Sequence, residues 1–205
     1  MDELAFVQDA LVSAVAMPDK DARSQSRNFV TALARAFRDK FECPVGNSCF
    51  RVLSRDHGEH RPEFGLNELL FDVLVCEVGQ VPRNPRPLTF VRRAIWQIES
   101  EFAADARKAL FDFNKLVLGD ATYKLFIGPK TADDKKFLDS LLPAALCCSG
   151  TVFVALAPHP KTWNPATHQP LHAEFWRADR DRDAWVPLPP PPRPTRLRQG
   201  GVGPI

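Results

Sequence analysis

Two stretches constrain this 205-residue chain more than any others. Leu69 to Val78 (Leu-Leu-Phe-Asp-Val-Leu-Val-Cys-Glu-Val) and Phe90 to Phe102, centred on Ala94-Ile95-Trp96-Gln97-Ile98-Glu99-Ser100-Glu101, are apolar runs rich in β formers. Such runs predict central strands covered on both faces. Carboxylates interrupt both. Strand side chains alternate, so Leu70, Asp72, Leu74 and Cys76 share one face, with Glu68 just outside on the same parity. In the second run Ile95, Gln97, Glu99 and Glu101 share a face, leaving Trp96, Ile98, Ser100 and Phe102 for the other. An ionised carboxylate buried without a partner costs several kcal/mol or shifts its pKa until it is neutral, and neighbouring acids also repel. A divalent cation between them removes that cost.

The other elements follow from periodicity and punctuation. Leu4, Val7, Leu11 and Val15 mark a first amphipathic helix ending before Pro18, and Phe29, Leu33, Phe37 and Phe41 mark a second from about Arg27, after a polar loop. Cys49 to Leu53 reads as a short strand, Ala103 to Leu118 as a helix stopped by Gly119, and Tyr123 to Ile127 as a strand. Thr131, three residues before Asp134, suggests the cap of a helix that Pro143 kinks or ends, and Thr151 to Ala157 is a last core strand. The expected class is α/β, a mixed sheet flanked by helices on both faces.

The 19 prolines exceed the usual share and gather toward the C-terminus, so they mark loops and a tail. The division expected is an α/β domain over 1–158 including the N-terminal helix, an extension over 159–188 with a hairpin about Asp179 to Asp183, and a flexible Pro/Arg/Gly-rich tail over 189–205. A net charge of +2 is too small for a dedicated nucleic-acid coat protein, so any contact with a polyanion depends on local patches. Five cysteines, an odd number without zinc-pair spacing, read as reduced, mostly buried thiols. His57, His60, His159, His168 and His172 are scattered through loops and form no zinc set. Neither a signal peptide nor a membrane span is evident, and the expected location is the cytoplasm.

Mg²⁺ takes oxygen ligands, usually one or two carboxylates completed by waters and phosphate oxygens, a requirement that Asp72 and Glu99 meet. Such an ion activates a water for phosphodiester hydrolysis, and Glu101 is placed to align that water or hold a second ion.

An Asp in one central strand, Glu99-Ser100-Glu101 in the next and a helix after it resemble the PD-(D/E)XK, or restriction-endonuclease-like, nuclease superfamily over roughly residues 27 to 157. The resemblance implies that Asp72 and Glu99 ligate the ion, with the Ser100 carbonyl as a further donor. Glu101 stands where the family usually has Lys. Some relatives supply the positive charge from the following helix, which implies that role for Lys115 in Phe111-Asp112-Phe113-Asn114-Lys115-Leu116.

The expectation is therefore an Mg²⁺- or Mn²⁺-dependent endonuclease acting on DNA, with Asp72, Glu99, Glu101 and Lys115 as catalytic residues and Asp72, Glu99 and Glu68 as metal ligands. Restriction and phage defence are the contexts it suggests, with a homodimer or a partner protein left open for target recognition. The alternative is a catalytically silent module that binds nucleic acid or a protein. Plainer readings stand beside these: Asp72 paired with Arg92 or Arg93, Glu99 and Glu101 on a solvated edge strand, and Lys115 as a surface helix residue in contact with Asp112.

Overall fold

The computed structural model describes residues 2–17, 21–42, 49–56, 58, 60–65, 69–83, 87–164 and 171–191. Two helices lead the chain, α1 (Ala5–Ala16) and α2 (Ala22–Phe41). They are followed by β1 (Phe50–Ser54), a single-turn helix α3 (Arg61–Phe64), β2 (Val73–Val81) and β3 (Leu88–Ser100). Then come α4 (Ala106–Leu118), β4 (Ala121–Pro129), α5 (Asp134–Cys147), β5 (Thr151–Ala157), β6 (Glu174–Asp179) and β7 (Ala184–Leu188).

The seven strands among the described residues lie in one sheet in chain order. β1, β2 and β3 form an antiparallel meander, β3, β4 and β5 run parallel, and β5, β6 and β7 are antiparallel again. Parallel neighbours need a crossover, which α4 and α5 provide. The mixed sheet with helices on both faces agrees with the α/β class read from the sequence. No helix among the described residues is long and apolar enough to cross a membrane.

The sheet divides the core in two. On one face Val75, Trp96, Ile98 and Phe153 pack with Phe29, Phe37 and Leu11 of α1 and α2. On the other, Leu74, Cys76, Phe126 and Val154 pack with Phe113 of α4 and Leu141 of α5. A buried aromatic or aliphatic side chain of this size contributes roughly 1.5–3 kcal/mol, so each face holds its helix pair firmly.

Several boundaries differ from expectation for identifiable reasons. α2 starts at Ala22, inside the stretch expected to be loop, because Asp21 accepts hydrogen bonds from the Arg23 and Ser24 N–H groups and caps it. α4 starts at Ala106 because Asp105 caps it in the same way. The cap of α5 is Asp133, not Thr131; Asp134 instead turns back to accept from the Thr131 N–H at 2.6 Å. Pro143 lies inside α5, which continues to Cys147. β2 starts at Val73 because Leu70 has a left-handed backbone, φ 64°, which no regular strand accommodates.

Two register shifts in the β2–β3 pair leave Ile95 and Arg92 as extra residues on β3. Such bulges break alternation. Ile95 therefore packs with Trp96 against the α1/α2 face and not beside Gln97, while Arg92 and Arg93 both reach Glu77, at 3.1 and 2.7 Å.

The described residues beyond 158 stay with the sheet. Trp163, 3% exposed, packs on Phe29 and Phe102, and the β6–β7 hairpin adds to β5. The segment expected as a tail lies outside the described residues from 192 onward.

Candidate active site

Asp72 sits immediately before β2 and Glu99 near the end of β3. Because these strands are antiparallel, with Val73 opposite Ile98, the two carboxylates meet at the same end of the pair. Both are on the face covered by α4. β3 is hydrogen-bonded on both sides, to β2 and β4, so Glu99 is not on an edge strand.

The Asp72 carboxylate accepts two hydrogen bonds from Ser100, from its N–H at 2.9 Å and its hydroxyl at 2.7 Å. Arg92 and Arg93 pair with Glu77 instead. Ser100 thus reaches Asp72 although it follows Glu99 on the opposite parity, which the end of the strand permits.

Glu99 is 1% exposed. One oxygen, Oε2, accepts from Lys115 Nζ at 3.0 Å, and the other, Oε1, is buried with no partner among the described residues. Burial, reinforced by the Asp72 charge, pushes its pKa up to about 8 despite the lysine. The ammonium of Lys115 is itself penalised by burial, but hydrogen bonds to Asp112 and Glu99 hold its pKa above the usual lysine range. Lys115 therefore does more than contact Asp112 on the helix surface: it leaves the last turn of α4 to meet a strand carboxylate.

Glu101 does not join this group. It lies past the end of β3, and its carboxylate accepts the Ala103 N–H at 2.6 Å, a turn made possible because α4 begins three residues later than expected. Glu68 falls outside the described residues. Of the three described histidines, His60 pairs with Glu42 at 2.7 Å, His159 accepts from the Lys161 N–H, and His172 is exposed; His57 and His168 lie outside the described residues. Cys76 and Cys148 are buried, but Cys49 and Cys147 are exposed, so the thiols described divide evenly and are not mostly buried.

No group of three or more His, Cys, Asp or Glu side chains among the described residues is arranged to hold a metal ion. The donor set is smaller: two adjacent carboxylates, one carrying a buried oxygen with no hydrogen-bond partner among the described residues. An orphaned buried carboxylate oxygen is costly, and two carboxylates are what a hydrated Mg²⁺ usually takes from protein. The residues present fit such an ion.

Two further features escaped the sequence. Lys124, opposite Gln97 on β4, is fully buried and donates to the Gly119 carbonyl at 2.6 Å and to Ser149 Oγ at 3.1 Å, and Ser149 donates to Asp120 at 2.6 Å. These contacts place a cation at the C-terminal ends of both α4 and α5, where helix dipoles favour it. A lysine flanked by Tyr123 and Leu125 in a buried strand was the available signal. The second feature is a groove of about 820 Å³ on the α4 side of β2 and β3, with Leu70 and Val91 at its lip and Leu74 and Gln97 within it.

Compared with family models, curated proteins and solved structures, the chain matches none, and its function has to be read from the chemistry of this site.

Proposed function

We propose that the protein is a metal-dependent nuclease of the restriction-endonuclease-like type, hydrolysing phosphodiester bonds in DNA. The observation that carries this reading is the pair Asp72 and Glu99, brought together from adjacent strands with one Glu99 oxygen buried and without a partner among the described residues. The succession of β2, β3 and α4 supports it, with Asp72 at the start of the first and Glu99 near the end of the second, because an Asp in one central strand, the Glu-X-Glu in the next and then a helix is the order on which the PD-(D/E)XK resemblance rests.

Asp72 and Glu99 would hold Mg²⁺ or Mn²⁺, which when bound supplies positive charge at the scissile phosphate and lowers the pKa of a water. Ser100 orients the Asp72 carboxylate through two hydrogen bonds to Oδ2, leaving Oδ1 as the oxygen that would be offered to the ion. Lys115 supplies the charge that the strand position of Glu101 lacks: its ammonium remains protonated and stands beside Glu99, where it can stabilise developing negative charge. Glu101 has no part in this scheme, its carboxylate being committed to Ala103.

A second reading, a catalytically silent nuclease-like module, is favoured by one observation. Lys115 already engages one oxygen of Glu99 and Ser100 one oxygen of Asp72, so the cluster is partly compensated without an ion.

The test is cleavage of supercoiled plasmid, linear duplex and single-stranded DNA with Mg²⁺ or Mn²⁺, beside thermal unfolding in the same buffers. The nuclease reading expects metal-dependent cleavage reduced at least about 100-fold in Asp72→Asn and Glu99→Gln, both folded. Absence of cleavage together with an unfolding temperature indifferent to Mn²⁺ would leave only the silent module.

A further inference from the structure

We infer that the outer half of the β2–β3 hairpin is a duplex-DNA contact, a two-stranded ribbon whose arginines take phosphates while its exposed apolar face enters the major groove. The inference rests on the nuclease reading only for DNA as the polyanion. It asks nothing of Asp72 or Glu99, which lie at the opposite end of the hairpin.

Pairing isolates the ribbon. β1 accompanies β2 no farther than the pairing of Phe50 with Glu77 and the bond from the Val78 N–H to the Cys49 carbonyl, and β4 joins β3 only from Ala94 inward. From Gly79 and Phe90 out to Val81 and Leu88, the two strands pair with each other alone among the described residues. Thr89 ties one face of the ribbon to α3 by donating to Glu63 at 2.9 Å, and Arg51 holds Glu63 in turn at 2.8 Å. The opposite face is open: Val81 and Leu88 are each 50% exposed there and Phe90 44%.

Charge gathers in the same place. From Glu77 to Arg93 the sequence holds four arginines, no lysine and Glu77 as its one acid. That surplus of three positive charges exceeds the +2 of the whole chain, so the other residues are together slightly acidic. The bulge at Arg92 breaks the alternation, and Arg92 and Arg93, which a regular strand would send to opposite faces, both reach Glu77. The carboxylate they share is 14% exposed, beneath guanidiniums that are 59% and 63% exposed. A phosphate approaching this face meets the cations first. Gly79 adds room, because a Cβ there would fall 2.6 Å from the Phe90 ring and 3.2 Å from Arg92 Nη2, so ring and guanidinium lie side by side over bare backbone. Arg83, exposed just beyond Val81, supplies a third cation.

These features select among polyanions. Arginines without a lysine favour the planar, bidentate fork that suits phosphate and guanine. A two-stranded β-ribbon is of a size that the major groove of B-DNA admits, whereas the major groove of A-form RNA is too narrow for side chains to read. The apolar face between the arginines offers a contact to thymine methyl groups and base edges that charge alone does not.

The experiment is fluorescence anisotropy of the full chain in EDTA with a DNA duplex of about 20 base pairs, or two helical turns, and an RNA duplex of the same sequence, beside flotation with phosphatidylserine/phosphatidylcholine vesicles. Three variants are compared: Arg92→Ala with Arg93→Ala, Glu77→Gln, and Lys135→Ala with Lys136→Ala, which removes the same charge from the exposed side of α5. Duplex DNA should bind at least about tenfold more tightly than duplex RNA, and the vesicles should not retain the protein. Removing both arginines should weaken the DNA complex at least about tenfold and flatten the slope of log K against log salt by about 1.8, while the lysine pair changes affinity by less than about threefold. Glu77→Gln should strengthen binding about threefold, because the guanidiniums lose their competitor, whereas a variant that merely loosened the hairpin would weaken it. No binding in EDTA, equal affinity for RNA, retention on vesicles, equal losses in the arginine and lysine variants, or a weakened Glu77→Gln would each overturn the inference. The outcomes are separable from the cleavage assay: DNA bound in EDTA but never cleaved with Mn²⁺ keeps the ribbon and removes the nuclease, whereas cleavage by an arginine variant that binds like wild type removes the ribbon and keeps the nuclease.

Discussion

Replacing Glu99 with glutamine should stabilise the metal-free protein, and by an amount that depends on pH in a defined direction. In the unfolded chain this glutamate ionises near its ordinary value of 4.5; in the fold, burial and Asp72 move it to about 8. A raised acid pKa means that the folded state binds the proton more tightly, so the group contributes no penalty below pH 4.5 and a growing one as pH rises toward 8. At pH 7 the penalty is about 3 kcal/mol. Lys115 does not offset this trend, because its pKa is raised from 10.5 and its contribution is constant across the same window. Glutamine keeps the shape and hydrogen-bonding capacity of the protonated acid without the titration. For a chain of this length the difference corresponds to roughly 6–12 °C in unfolding temperature at pH 7. Differential scanning fluorimetry in EDTA from pH 4 to 8.5 reads it directly: the wild-type curve should fall from pH 5 upward, and that of Glu99→Gln should be flatter. Mn²⁺ should restore the wild type at pH 8 and leave the variant unmoved, since an ion bound only to the folded state stabilises it by mass action. A wild-type curve flat between pH 5 and 8, or a variant no more stable than wild type at pH 8, would refute the account of Glu99 as a compressed, undercompensated acid.

Two other outcomes follow from packing. Gly150 has φ +68° and a Cβ there would lie 2.1 Å from the Ala121 carbonyl oxygen, so Gly150→Ala should destabilise by about 2 kcal/mol or more, read by urea denaturation. Cys49 and Cys147 should be alkylated in the native protein, while Cys76, whose thiol burial pushes up to about 12, and buried Cys148 should react only on unfolding, as mapped by peptide mass spectrometry.

The central strands were legible because their runs are rich in apolar β formers, and the amphipathic helices because Phe29, Leu33 and Phe37 repeat on one face. Helix starts were less so: Asp21, Asp105 and Asp133 act through hydrogen bonds to backbone N–H groups two or three residues on, and a short polar side chain in a loop looks the same whether or not it caps. Parity brought Asp72 and Glu99 to the α4 face. It failed for Ile95 because a bulge adds a residue that no local pattern announces. It failed for Glu101 because the strand ends one residue earlier, and alternation says nothing about a side chain that folds back on the next turn. The contacts of Gln97 and Lys124 reach partners more than twenty residues away in sequence, at Asp120 and Ser149, which only the folded chain brings near.

The two bulges in the β2–β3 hairpin stand between its base, where the carboxylates lie, and its tip. At the base the pairing of Val73 with Ile98 is anchored from both faces by buried neighbours, whereas Val81, Leu88 and Phe90 farther out are half exposed. An insertion or deletion in the connecting turn would be absorbed by those irregularities before it could slip the register at the base. The outer hairpin is therefore free to diverge, or to be rebuilt for a different target, while the geometry of the acidic pair stays fixed.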